Sequence, residues 1–143
     1  MAIKQLSVFV PNKAGELVKI TDALDKANID IRAMSIADTQ DFGILRLIVS
    51  DIKKAKENLE ESECFASTTE VVAVEITDEP GSLGKVLKIL SDNEIGIEYM
   101  YAFIAVSRKG AYVVLRVEDN NKAEKTLSDN GVKIVTEDDI SKL

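Results

Sequence analysis

The chain has 143 residues, 45% of them hydrophobic and 30% charged, an ordinary globular composition long enough for one domain or two very small ones. Eighteen basic residues against twenty-five acidic ones leave a net charge of −7, whose field repels phosphate backbones and anionic lipid, so neither nucleic acid nor a membrane is an expected partner. Histidine is absent and Cys64 is the single cysteine. This removes the commonest general base, the commonest transition-metal ligand, a zinc cage and an internal disulfide together; no enzymatic activity, cofactor or metal is expected.

The N-terminus, "MAIKQLSVFVP", lacks the basic head and long apolar centre of a signal peptide, and no apolar run approaches the roughly 20 residues of a membrane span. The expected compartment is the cytoplasm. "IKQLSVFV" is rich in strand formers and reads as a first strand. From Glu16 to Ala27, Leu17, Ile20, Leu24 and Ala27 recur at spacings of three and four, the stripe of an amphipathic helix. "NIDIRAMSIAD" and "ILRLIVS", separated by the turn signal "QDFG", predict a hairpin. Asp51 stands at an N-cap ahead of a second helix with Ile52, Ala55 and Leu59 on one face, and "CFASTT" closes the set as a fourth strand.

The same order then repeats. Val72, Val74 and Ile76 alternate as a strand, Leu83, Val86, Leu87 and Leu90 mark a helix, and "EIGIEYMYAFIAV", "SRKG" and "AYVVLRV" form a second hairpin. Asp119 caps a helix carrying Ala123 and Leu127, Gly131 terminates it, "VKIVTE" is the last strand, and "TEDDISKL" is a solvated helical turn anchored by Ile140. An offset of 66 pairs Gly15 with Gly81, Leu17 with Leu83, Ile20 with Val86 and Met34 with Met100; after the hairpin it becomes 68, pairing Leu47 with Leu115 and Ala55 with Ala123. Two residues have been gained in the second hairpin turn.

Each copy therefore reads βαββαβ, and the expected fold class is α+β: two tandem ferredoxin-like units, residues 1–69 and 70–143, each an antiparallel sheet with its helices on one face. No glycine-, proline- or serine-rich spacer separates them, so the halves are expected to pack rigidly against each other. Cys64 aligns with Val132 and reads as a buried small residue in a strand. The matched Met34 and Met100 read as core filler, and Tyr99, Tyr101 and Tyr112 as cover for the sheet.

Both copies enter their first helix through a glycine turn, "VPNKAGEL" and "TDEPGSL". Two readings stand side by side. In one, Asn12 or Asp78 caps the helix, and Pro80 sits in its first turn. In the other, the glycine lets another group approach the backbone, keeping the free amides open as an anion site. On the second reading, Gly81→Val is expected to abolish binding with little loss of fold.

"ITDEPGSLGKVLKILSDNEIGIEYMYAF" is similar to an ACT domain, whose signature runs Asp-x-Pro-Gly-x-Leu, a helix, then Gly-Ile-x-Ile. The resemblance spans the chain as two tandem copies; the first has Asn12 for the aspartate and Ala14 for the proline. It implies a regulatory protein that binds a small molecule, most commonly a free amino acid, at an interface between paired domains. It also implies the site: Asn12, Ala14, Gly15, Glu16 and Leu17 with Met34 and Ser35 in one copy, and Asp78, Pro80, Gly81, Ser82 and Leu83 with Met100 in the other. A homodimer is the implied assembly. The alternative is a regulatory subunit of a separate biosynthetic enzyme such as acetolactate synthase.

Overall fold

The structure is a computed structural model that describes residues 2–38, 41–104 and 110–143. In chain order the elements are β1 (Ile3–Pro11), α1 (Glu16–Lys26), β2 (Ile31–Asp38), β3 (Phe42–Val49), α2 (Ile52–Glu61), β4 (Ala66–Ile76), α3 (Ser82–Asp92), β5 (Ile97–Ala102), β6 (Ala111–Val117), α4 (Asn120–Asp129), β7 (Lys133–Ile134) and α5 (Glu137–Ser141). They form two compact units, Lys4–Thr69 and Glu70–Leu143, the latter with the N-terminal residues up to Ile3. β4 runs through the boundary without interruption.

In the unit Lys4–Thr69, β3 lies between β2 and β1, with Met34 opposite Leu47 and Leu6 opposite Leu47 in antiparallel register. The amide of Phe9 donates to the Phe65 carbonyl at 3.0 Å, which brings the approach to β4 beside β1. One face of this sheet supplies Leu6, Val8, Leu45 and Leu47 to a core completed by Ile20 and Leu24 of α1 and by Ala55 and Leu59 of α2. The unit Glu70–Leu143 repeats the plan in the order β5, β6, β4, β7. Val72, Val74, Leu115 and Val117 pack there against Val86, Leu90, Ala123 and Leu127. Leu47 and Leu115, Ala55 and Ala123, and Leu59 and Leu127 are all completely buried, so the sequence repeat is a repeat of cores. The architecture is the expected α+β pair of ferredoxin-like units.

The caps repeat as well. The Asp51 carboxylate accepts from the Lys54 amide at 3.1 Å, and that of Asp119 from the Lys122 amide at 3.0 Å. After α4 the chain turns at Gly131, φ +80°, and Val132 donates to the Leu127 carbonyl at 3.0 Å. The equivalent left-handed position after α2 is held by Glu63, φ 62°, with Cys64 donating to Leu59 at 2.8 Å. Thr136 and Asp139 exchange hydrogen bonds in a capping box at the start of α5, and Ile140 is buried as its anchor.

Several expectations are corrected. Cys64 precedes β4 instead of lying in a strand, and it is half-buried against the core, as Val132 is in the other unit. The last strand of the second unit is only Lys133–Ile134. Phe42 and Gly43 of "QDFG" belong to β3; Gln40, Ser107, Arg108 and Lys109, and with them the two-residue insertion, lie outside the described residues. Among the described residues no helix is long and apolar enough to cross a membrane.

Candidate functional site

The glycine turns owe their geometry to the glycines. Gly15 has φ +91° and Gly81 φ +88°, a region that residues with a Cβ rarely enter. Each is the N-cap of its helix, and no side chain caps the first amides of either α1 or α3. This corrects one expectation. Asn12 and Asp78 are not caps: the Asn12 amide donates to the Asp41 carbonyl at 3.1 Å, which keeps that residue with the sheet, three positions short of the N-cap. A Cβ at either glycine would meet no atom of the chain within 4 Å, so it is the backbone angle and not crowding that calls for glycine. Valine at Gly81 would carry backbone strain of its own, so that variant does not separate binding from folding.

The helix ladders begin with Lys19 donating to the Gly15 carbonyl at 3.0 Å and Lys85 to that of Gly81 at 3.1 Å. Of the amides before them, that of Glu16 donates to the Lys13 carbonyl at 3.4 Å and that of Ser82 to the Glu79 carbonyl at 3.3 Å, and the others lie at the positive end of the helix with no side-chain cap. Ala14, Asp78, Pro80 and Gly81 are exposed in the turns, with Pro80 ahead of α3 instead of inside it; Glu16 opens α1 and Leu83 half-buries against its core.

Beside the first turn lies a cavity of about 60 Å³, lined by Val10, Pro11, Asn12, Lys13, Leu17, Ile36 and Gly43. Leu17, expected in the buried stripe of its helix, is 42% exposed and forms part of this wall. Met34 and Met100 are 43% and 42% exposed, not core filler. The registers explain this: Met34 faces Leu47 and Met100 faces Leu115, so both share the helix-bearing side of the sheet, but on outer strands that the helices leave open. Ser35 faces Arg46 and points to the opposite side from Met34. Lys13, Ile36 and Gly43 were not singled out in the sequence; Ile36 was recoverable, two residues after Met34 on the same face of β2.

The second turn differs in chemistry. The Thr77 hydroxyl donates to Glu79 at 2.9 Å, so the buried Ser82 is the donor in its 2.6 Å bond to Thr77. Asp78 and Glu79 make this turn acidic where the first has Asn12 and Lys13. On the flank of α3, Thr77, Ser82, Lys85, Ile89 and the segment Asn130–Lys133 line an open groove of about 510 Å³. There Lys133 pairs with Glu75 at 2.7 Å, and that bond raises the lysine pKa above its ordinary value. A further shallow hollow at Glu70, Glu118 and Asp119 lies away from both turns, and its Asp119 carboxylate is already engaged as a helix cap. Among the described residues no three potential metal ligands cluster.

A family model described as an ACT domain pair matches residues 1–143. Comparison with curated proteins returned no match. Among solved structures, protein BT0572 from Bacteroides thetaiotaomicron is 40% identical, with a TM-score of 0.92 over 100% of this chain and 98% of that one. The regulatory subunit of aspartate kinase from Thermus thermophilus, in ligand-free form, is 18% identical with a TM-score of 0.64, over 88% of this chain and 90% of that one. Its counterpart from Thermus flavus is 18% identical with a TM-score of 0.60 over the same shares. The two subunits share the fold with this chain.

Proposed function

The chain belongs to the ACT domain family, as a pair of such domains with a regulatory-type fold, and from that premise we propose that it senses a free amino acid bound at the strand-to-helix turns. The two domains are taken as residues 1–69 and 70–143. The observation that carries the reading is the first turn, where uncapped amides of α1 adjoin a cavity with Asn12 and Lys13 at its polar rim and Val10, Leu17 and Ile36 as its apolar wall. A carboxylate is suited to the amides and the lysine; at about 60 Å³ the cavity seats only part of an amino acid, and the remainder of the ligand would lie outside it. Asn12, Ala14, Gly15, Glu16 and Leu17 with Met34 are the residues assigned to this site; Asp78, Pro80, Gly81, Ser82, Leu83 and Met100 are their counterparts. The acidic Asp78 and Glu79 disfavour a carboxylate in the second turn, so the first is the preferred seat.

The test is a thermal-shift screen of the full chain against the twenty amino acids, with native mass spectrometry of the same sample. A ligand at a hundred times its dissociation constant adds about 2.7 kcal/mol of stability. A selective shift that disappears in Lys13→Glu supports the reading; a flat screen with no ligand retained in the native spectrum refutes it. The second reading, a regulatory subunit acting on a separate biosynthetic enzyme, draws on the architecture shared with the aspartate kinase subunits, and co-purification of a catalytic chain from the native host tests it.

A further inference from the structure

Gly43 lies in the wall of the first-turn cavity, inside β3, where glycine is among the residues least suited to a strand. Neither of the usual reasons for a glycine applies to it. Its φ lies outside the left-handed region that Gly15, Gly81 and Gly131 occupy. A Cβ there would meet the Ala37 carbonyl oxygen and the Cγ1 and Cδ1 of Ile36 at 3.5 Å, ordinary van der Waals separations. Gly110 is the contrast, since a Cβ there would collide with the Ile76 carbonyl. Alanine would fit position 43, and in the other unit the place of Gly43 opposite Val10 is taken by Ala111 opposite Ile76. The register fixes where the missing side chain would point. Gly43 stands two residues before Leu45, which packs in the core against the helices, and it pairs with the buried Val10. Its Cβ direction is therefore the helix side of the sheet, which Ile36, paired with Leu45, shares. The space that a side chain at 43 would fill is part of the cavity, bounded by Val10, Leu17 and Ile36.

Resting on the ligand reading above, we propose that Gly43 and Ile36 determine the size of ligand side chain that this site accepts. The bare backbone of Gly43 makes room for a short aliphatic side chain, between alanine and valine in size, and Ile36 stops a longer one. The cavity of about 60 Å³ takes only part of an amino acid. Of the parts, the side chain matches walls made by Val10, Leu17, Ile36 and the face of Gly43, whereas the carboxylate loses least by staying in water beside Lys13. Ile36 is 50% exposed, so the core does not dictate its bulk, and the matched residue of the other unit, Ala102 opposite Val113, is small. The first unit thus has less side chain than the second at one of these two positions and more at the other. An apolar pocket discriminates by roughly tenfold or more per methylene, so two such positions are enough to select among aliphatic ligands.

The experiment is calorimetric titration of the full chain, of Gly43→Ala and of Ile36→Ala with glycine, L-alanine, L-valine, L-leucine and L-phenylalanine. Each replacement is the residue found at the matched position of the other unit. The native chain is expected to bind L-alanine or L-valine best. The two variants should then move the preference in opposite directions: Gly43→Ala lowers the affinity for L-valine relative to L-alanine about tenfold or more, and Ile36→Ala raises that for L-leucine relative to L-valine by a similar factor. Circular dichroism should show the native spectrum in both. If Gly43→Ala does not fold, Ile36→Ala decides, because a side chain this exposed contributes little to the core. An unchanged order of preference in the variants overturns the proposal, and so does a parallel weakening of all five ligands, which would place the carboxylate and not the side chain in the cavity. A native chain that binds only an amino acid outside this series refutes the size rule and leaves the ligand reading standing; one that binds none of the twenty refutes both.

Discussion

Two glycines three residues apart should respond to the same substitution with opposite sign. Gly81 holds φ +88° and Gly84 lies inside α3, and a Cβ at either would meet nothing within 4 Å. Steric collision is therefore removed from the comparison. Alanine at 81 must adopt a left-handed backbone at a cost of about 1–2 kcal/mol. Alanine at 84 fits the helix and restricts the unfolded chain, a gain of about 0.5–1 kcal/mol. The gap of about 2 kcal/mol corresponds to a separation of roughly 8–16 °C in the unfolding midpoint of a unit of this size. Thermal and urea unfolding of the full chain, followed by circular dichroism, measures it directly. Destabilisation of similar size in both variants would mean that something other than the dihedral angle demands the glycine in the turn, and the account of that turn would fall.

Glu63 occupies at φ 62° the position that Gly131 fills after the matching helix, so Glu63→Gly is expected to stabilise the chain by about 0.5–1 kcal/mol in urea unfolding, with loss of stability refuting it. Leu90→Ala removes a completely buried side chain and should cost about 2–5 kcal/mol, whereas Met100→Ala, on an exposed edge, should stay within about 0.5 kcal/mol; equal losses would place Met100 in the core after all. The Asp139 carboxylate accepts from the Thr136 amide at 2.9 Å and hydroxyl at 3.0 Å, and these bonds hold its pKa below the ordinary 3.8. A depressed acid stabilises the fold above its unfolded pKa and loses that contribution as pH falls through the folded value. The midpoint difference between the native chain and Thr136→Ala should accordingly be constant from neutral pH down to about 4 and shrink below it; a difference that grows in acid would refute the sign.

Much of this architecture was legible because the chain states it twice. Leu47 with Leu115 and Leu59 with Leu127 could be matched by offset alone, and the caps at Asp51 and Asp119 were readable because an N-cap is a local event between neighbours in sequence. The turns were located but their chemistry was misassigned: Asn12 and Asp78 are residue types that cap helices, yet the strand's last hydrogen bond at Asn12 and the left-handed glycine delay the helix start beyond their reach. Met34 and Met100 misled for another reason. Periodicity says which side of a sheet a residue faces, and they do face the helices, but it does not say that two helices fail to cover the outer strand. The exposure of Phe9 was equally hidden, since "SVFV" has apolar side chains on both faces and looks like a buried strand whether or not anything covers it.

In each unit the first strand bonds to the third: Val8 faces Leu45 and Val74 faces Val113. The hairpins can close early over short loops, while the central pairing must enclose about 40 residues, the slow kind of step in mixed α/β domains. A chain that presents this step twice, with interchangeable cores, risks joining the first strand of one copy to the third of the other. The unlike partners of the two first strands make that exchange unfavourable: Phe9 lies beside Phe65, and Glu75 pairs with Lys133. A swapped β1 would set Phe9 beside Lys133 in place of Glu75, separating that ion pair and leaving the lysine against an aromatic ring. The divergence between the copies thus serves as an address on each strand, and it directs a duplicated sequence to fold as two units without mixing them.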